Sequence, residues 1–284
     1  MADNYDATSS WVVPNFYKAP ENSLFDKEYD YLVSLGHRCC VGQALNYMRK
    51  SSFPFDWQVT NINVLPNIFE KEFKNFYPDS GVDFAHVIYY QDENNQETDR
   101  INEEATWEIY NRRSQRLVKL LKENKRRLLF VRHKYIWYWS KWPDHGAQYD
   151  AHPITHDIEQ LTKVSDTIKN VYNNDKFDIM YVYQDMSQLT EFNWDEKGEI
   201  EQESFKLPDG VTQQDQAKEF TYVEQLGFKD KNITPVIVKP NNVRVEGNAM
   251  CSAINSFIKL SDVHDFELPY GYQKIKLSRN IDVE

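Results

Sequence analysis

Two periods alternate along the chain. Short apolar runs of strand length occur at 29–36 (YDYLVSLG), 82–90 (VDFAHVIYY), 126–133 (RRLLFVRH), 177–183 (FDIMYVY) and 234–239 (TPVIVK). Between them lie longer stretches whose apolar residues return every three or four positions, as on one face of a helix. In the stretch after Gly36, Val41, Ala44, Leu45 and Met48 recur in this way, and Arg49 and Lys50 suit a helix end. Further helices are predicted over 63–76, 101–124, 157–172 and 247–260, and in the second of these Tyr110, Leu117 and Leu121 share a face. Strands alternating with helices of this length predict an α/β fold, a mainly parallel sheet with helices on both faces.

The remaining segments give the domain organisation. Residues 1–27 lack periodicity and carry Pro14 and Pro20, which predicts an extended N-terminal arm. Residues 28–284 read as one α/β domain, interrupted at about 185–212 by an acidic, polar insertion containing DEKGEIEQE and PDG. No internal repeat interrupts this order. In sheets of this class ligands bind beyond the carboxyl ends of the strands, which directs attention to the turn after the first strand, Gly36 to Cys40.

Composition narrows the function classes. The 284 residues carry a net charge of −11, so nucleic acid is not an expected partner, because it selects a basic footprint. The clusters Arg112, Arg113, Arg116 and Lys125, Arg126, Arg127 are expected on solvated surface. No apolar stretch approaches the roughly 20 residues of a membrane span, and the polar, acidic start lacks the features of a secretory signal, so a cytoplasmic protein is expected. The three cysteines cannot all pair, and Cys39 with Cys40 would need a strained vicinal bridge. Reduced thiols are the expectation.

A thiol at the amino end of a helix meets a positive partial charge and free N–H groups, which favour the thiolate. Cys39 has that position, whereas Cys40 shares a stripe with Ala44 and Tyr47 and is expected to pack, as is Cys251 in its apolar helical pattern. A buried cysteine is also a small apolar residue, so position alone leaves both uses open.

The segment YDYLVSLGHRCCVGQALNYMRKSSFPFDW resembles the opening of a domain family of unknown function named for papain-like cysteine peptidases. The shared pattern is a strand ending Ser34, Leu35, Gly36, then two variable residues and Cys39, a helix, and the run Pro54, Phe55, Asp56, Trp57. Phe84 and His86 match a later Phe-x-His, and Arg112, Arg113 and Leu129 to Arg132 match an Arg-Arg helix and the strand after it. The likeness covers about residues 28–132. Gly42 stands where the family has an alanine-like residue, and the bulky pair His37, Arg38 replaces small polar ones. The resemblance implies Cys39 as nucleophile, His86 as general base and Asp56 as an orienting carboxylate, an arrangement able to attack an acyl carbon. A Pro-Phe-Asp-Trp turn can equally use the Asp56 carboxylate as a backbone acceptor. The element order is unlike papain, so a hydrolase or acyltransferase with Rossmann-like or SGNH-like layering is expected, without a cofactor. Gly36, His37, Arg38, Trp57, Arg112 and Arg113 are its expected substrate-binding residues.

The stretch YIWYWSKWPDHG (135–146) crowds aromatic rings. Partial burial in a strand explains much of it, and exposed rings there, with Trp137 and Trp139 as the candidates, would stack on sugar. The substrate classes are therefore peptide, acyl or carbohydrate. Two rival expectations follow: a glycosyltransferase or other glycan-modifying enzyme without an Asp-x-Asp metal site, and a non-catalytic carbohydrate-binding module. His152 and His156 have a helical spacing, but Pro153 and the want of a third ligand argue against a metal.

Overall fold

A computed structural model describes residues 15–16, 27–36, 41–42, 45, 51–82, 84, 86–135, 154–184, 193–194, 200–201, 232–239 and 259–260. Their centre is a five-stranded sheet. Strands β3 (Tyr31–Ser34), β6 (Leu128–Tyr135), β7 (Phe177–Gln184) and β10 (Ile233–Lys239) lie side by side in chain order and pair in parallel. The expected arm supplies β1 (Asn15–Phe16), which closes the β10 edge as an antiparallel partner. The described part is thus α/β, with helices α1 (Leu65–Glu70), α2 (Glu103–Glu123) and α3 (Ile154–Val171) in the connections between strands.

Register explains why these runs are apolar at almost every position. Val33, Phe130 and Ile179 share one face with Leu128 and Phe177, and form one buried cluster with Leu65 and Phe69 of α1, Leu117 and Leu121 of α2, and Leu161 and Ile168 of α3. Their neighbours along the strands, Leu32, Leu129, Val131, Met180 and Val182, point the other way and are buried too. A sheet buried on both faces has no room for alternation.

Helix α2 follows its expectation closely. Asn102 caps it by accepting from the Ala105 N–H at 3.1 Å, Glu103 and Glu104 occupy the first turn, and Asn124 ends it in the left-handed region at φ 45°. Tyr110, Leu117 and Leu121 are buried as their spacing predicts.

Three expectations are corrected. The run 82–90 does not join the main sheet: only Tyr89–Gln91 (β4) is strand, pairing with β5 (Glu97–Ile101) in a separate hairpin. The polar run after it makes that turn, with the Asp92 carboxylate accepting from the N–H groups of Asn94 and Gln96, both at 2.8 Å. The helix expected over 63–76 is a 3-10 turn at Ile62–Val64 followed by α1 alone, because Glu72, Phe73 and Asn75 adopt positive φ and turn Phe73 and Phe76 into an aromatic cluster with Phe55 and Phe69. At the end of the helix expected over 247–260, Lys259–Leu260 is β11, parallel to β2 (Glu28–Tyr29), with the earlier part outside the described residues. Of the acidic insertion, only the antiparallel pair β8 (Asn193–Trp194) and β9 (Ile200–Glu201) is described.

Candidate functional site

Strand β3 ends in a turn that only glycine can make. Gly36 has φ +73°, and a Cβ there would lie 2.3 Å from Thr60 Oγ1. The Ser34 hydroxyl accepts from the Gly36 N–H at 2.9 Å. Buried Arg132, from β6, donates through one guanidinium nitrogen to the carbonyls of Leu35 at 3.0 Å and Thr60 at 2.9 Å. The end of β3 and the 53–60 segment are thereby locked together.

That segment holds the Pro-Phe-Asp-Trp turn. Asp56 is buried, and its Oδ2 accepts from the Phe53 N–H at 2.6 Å, so this carboxylate has the backbone-acceptor use that a turn of this composition offers. Trp57 then adopts φ 67°, a conformation that costs a bulky residue about 1–3 kcal/mol and is retained where the surroundings demand it. The main chain of the turn also receives the helix that follows the Gly36 region: Val41, Gly42 and Leu45 are helical, and a Cβ on Gly42 would come within 2.6 Å of the Trp57 nitrogen. Gly36 and Gly42, three residues before and three after Cys39, both abut residues 56–60.

His86 approaches the same turn from the other side. The Trp57 and His86 rings meet edge to face, with centroids 5.4 Å apart. The segment carrying His86 is fastened to α2 by two side chains one turn apart: the Tyr110 hydroxyl donates to the His86 carbonyl at 2.6 Å, and Thr106 Oγ1 accepts from the Ile88 N–H at 3.0 Å. Gln58 Nε2 donates to the Tyr110 oxygen and to the Asp56 carbonyl at 3.1 Å, which ties the clamp back to the turn. Burial drives the Tyr110 hydroxyl well above the usual phenol range, opposed by the Arg113 charge and reinforced by Asp56, so it serves as a neutral donor. The His86 ring is exposed, and among the described residues no hydrogen bond joins it to Asp56.

These parts line an open cavity of about 340 Å³. Trp57 and the 86–88 segment wall one side, and Thr106, Ile109, Tyr110 and Arg113 of α2 wall the other. Of the expected arginine pair, Arg113 lines the cavity while Arg112, one position away, is exposed on a different face of the helix. Trp57, His86 and Arg113 are therefore brought together, with Gly36 and Asp56 in the adjoining turns. Cys39, His37, Arg38, Trp137 and Trp139 lie outside the described residues, as do Cys40, Cys251 and His152. His156 Nε2 lies 2.5 Å from Asn63 Oδ1.

Gln58, Thr106, Tyr110 and Arg132 build this site although none was an expected site residue. Tyr110 carries the helical spacing of a core residue, which it also is, and only its hydroxyl at the end of an apolar stripe hints at more. Arg132 is the legible case: a charge inside a run that otherwise reads as buried strand requires partners. Among the described residues no three His, Cys, Asp or Glu side chains converge as a metal site would need, and no helix is long and apolar enough to cross a membrane. No family model matches the chain, and neither the curated proteins nor the solved structures contain a match to it.

Proposed function

We propose that the protein is a thiol-dependent hydrolase or acyltransferase of the kind implied by its likeness to the papain-like cysteine peptidase family, with Cys39 as nucleophile and His86 as base. One observation carries this reading: helical Gly42, three residues after Cys39 in the sequence, and the His86 imidazole both meet Trp57, one against its main chain and the other against its ring. Gly42 and His86, which flank the proposed nucleophile and supply the proposed base, thus share a neighbour despite their separation in sequence.

The chemistry follows from the groups. His86 takes the Cys39 proton, and the thiolate sulfur bonds to an acyl carbon, forming a tetrahedral intermediate. Its collapse breaks the bond to the leaving group, which departs with the proton returned by the imidazolium. Water, or an acceptor hydroxyl or amine, then cleaves the thioester and restores the thiol. Asp56 enters as the builder of the turn, and Tyr110 as the residue that positions His86 through its carbonyl. Helices covering both sheet faces, in a Rossmann-like or SGNH-like layering, complete the proposal, supported by the burial of strand side chains on both sides. Peptides and acylated glycans are the substrates to screen, since Trp57 offers an aromatic face at the cavity.

The test is the pH dependence of Cys39 alkylation, mapped by peptide, in the native chain and in His86→Ala, with Cys40 and Cys251 as internal references. An activated pair makes Cys39 react well below the ordinary thiol value of about 8.5, and His86→Ala removes the advantage. A Cys39 that is inert, or that titrates like the reference thiols whether or not His86 is present, sinks the proposal.

A further inference from the structure

We infer that the β4–β5 hairpin and the start of α2 form a docking surface for a basic protein segment that also carries apolar side chains, a surface separate from the acyl chemistry proposed for Cys39.

Two properties coincide there. Of the five large apolar side chains exposed among the described residues, four, Ile88, Tyr90, Ile101 and Trp107, belong to the hairpin and the helix start. Trp107 is 49% exposed although Thr106 and Tyr110 of the same helix are buried. Tryptophan is highly buried on average and is among the residues most enriched where binding energy concentrates. The second property is charge. Residues 91–108 hold seven acidic residues, every one exposed, against a single arginine, so this short stretch carries −6 of the chain's −11. Glu103 and Glu104 stand one helical turn before Trp107, and Glu108 is next to it. The arginine, Arg100, places its guanidinium carbon 5.3 Å from the Tyr90 ring centroid, over the ring, which is the kind of contact that a basic partner would repeat.

The hairpin is fastened to the helix. The Ile88 N–H donates to Thr106 Oγ1 at 3.0 Å, the Asn102 N–H donates to the Ile88 carbonyl at 2.7 Å, and the Asn102 side chain caps α2. The four apolar residues are thereby gathered about one ordered junction, and an ordered surface loses little freedom on binding. The sign of the charge selects the occupant. Nucleic acid and anionic lipid are repelled, and a second copy meeting this face with its own same face would set like charge against like. Lysine or arginine interleaved with aliphatic or aromatic anchors complements both the carboxylates and the exposed rings.

The test titrates the whole chain with three labelled peptides of one length, patterned Lys/Leu, Lys/Ser and Glu/Leu, read by fluorescence anisotropy at low and at physiological salt. The Lys/Leu peptide is expected to bind on the order of tenfold more tightly than the Lys/Ser peptide, the Glu/Leu peptide not to bind, and binding to weaken as salt rises. Trp107→Ser brings the two basic peptides to one weak affinity, and Glu104→Gln with Glu108→Gln weakens both. Glu159→Gln with Asp166→Asn, which removes the same charge from exposed positions of α3, leaves the Lys/Leu affinity unchanged. Equal affinity of the two basic peptides, absence of binding, a preference that survives Trp107→Ser, or a loss as large from the α3 pair as from the α2 pair overturns the inference. Should Trp107→Ser not fold, the α2 and α3 charge pairs decide. Sedimentation of the chain alone covers the other occupant: self-association that Glu104→Gln with Glu108→Gln abolishes gives this face to a second copy and overturns the inference.

Discussion

Gly42 shows how much a missing methyl group can settle. Its Cα faces the Trp57 nitrogen so closely that the 2.6 Å approach of an added Cβ must push the helix and the turn apart. Gly42→Ala, favourable in a free helix, is therefore expected to destabilise the fold by about 1–3 kcal/mol through overpacking, read from urea unfolding. An alanine variant as stable as the native chain would show that the helix is not seated on the turn. Tyr110→Phe tests the other side. It leaves the part-buried His86 carbonyl and the buried Gln58 amide each short of one partner, so a loss of about 1–3 kcal/mol is expected, together with weakened activation of Cys39 if His86 moves. Unchanged stability and reactivity would mean that the hydroxyl positions nothing. These residues mark the limit of what the chain discloses by itself. The glycine at 36 is legible as a turn, since it ends an apolar run, but the reason for Gly42 lies in a segment that arrives from more than ten residues later. Asp56 is ambiguous in the sequence, because the same carboxylate in the same turn can orient an imidazole or hold a backbone N–H, and its 2.6 Å bond to Phe53 resides in local geometry that composition does not encode.

At the level of elements, the carboxyl ends of β6 and β7 and the start of α3 share a buried charge pair. Lys134 Nζ lies 3.1 Å from Asp157 Oδ2, which also accepts from the Tyr181 hydroxyl at 2.9 Å, and all three residues are buried. Removing one partner strands the other charge, so Lys134→Met is expected to cost about 3–5 kcal/mol, whereas Lys134→Met combined with Asp157→Asn, which still accepts from Tyr181, recovers most of it. A double-mutant cycle by chemical denaturation measures this, and additive losses would refute the coupling. Period alone was enough to find α2, α3 and the four parallel strands, because each is long or uniformly apolar and its burial repeats regularly. It failed at 82–90, where an apolar run lies against α2 through Thr106 and Tyr110 rather than in the main sheet, and at 63–76, where the phenylalanines that suggest a helical face are buried by a series of left-handed turns. Apolar content reports burial in both places. It does not report which partner does the burying.

For the molecule as a whole, its buried tyrosines set an alkaline limit. Burial raises Tyr29, Tyr110 and Tyr172 far above the ordinary phenol value, and burial plus the Glu103 carboxylate at 2.5 Å pushes Tyr77 up to about 12. In each case the folded chain holds the proton more tightly than the unfolded chain, whose tyrosines ionise near about 10. Stability is thus insensitive to this group of residues below that value and falls as pH rises from about 10 towards 12 and beyond. Tyrosinate absorbance recorded alongside circular dichroism should show these phenols ionising together with unfolding, and their ionisation in an intact fold would contradict the packing described. The order of the sheet has a different kind of consequence. A ribosome delivers β3, β6, β7 and β10 in the sequence in which they stand side by side, so each strand can be laid against one already present and the growing edge stays adhesive throughout synthesis. That edge is covered by Asn15–Phe16, a piece made long before the strand it protects. Until β10 has emerged, the nascent sheet presents an open border to other nascent copies, and the moment of greatest aggregation risk falls late in translation, just before the start of the chain is recruited to its final place.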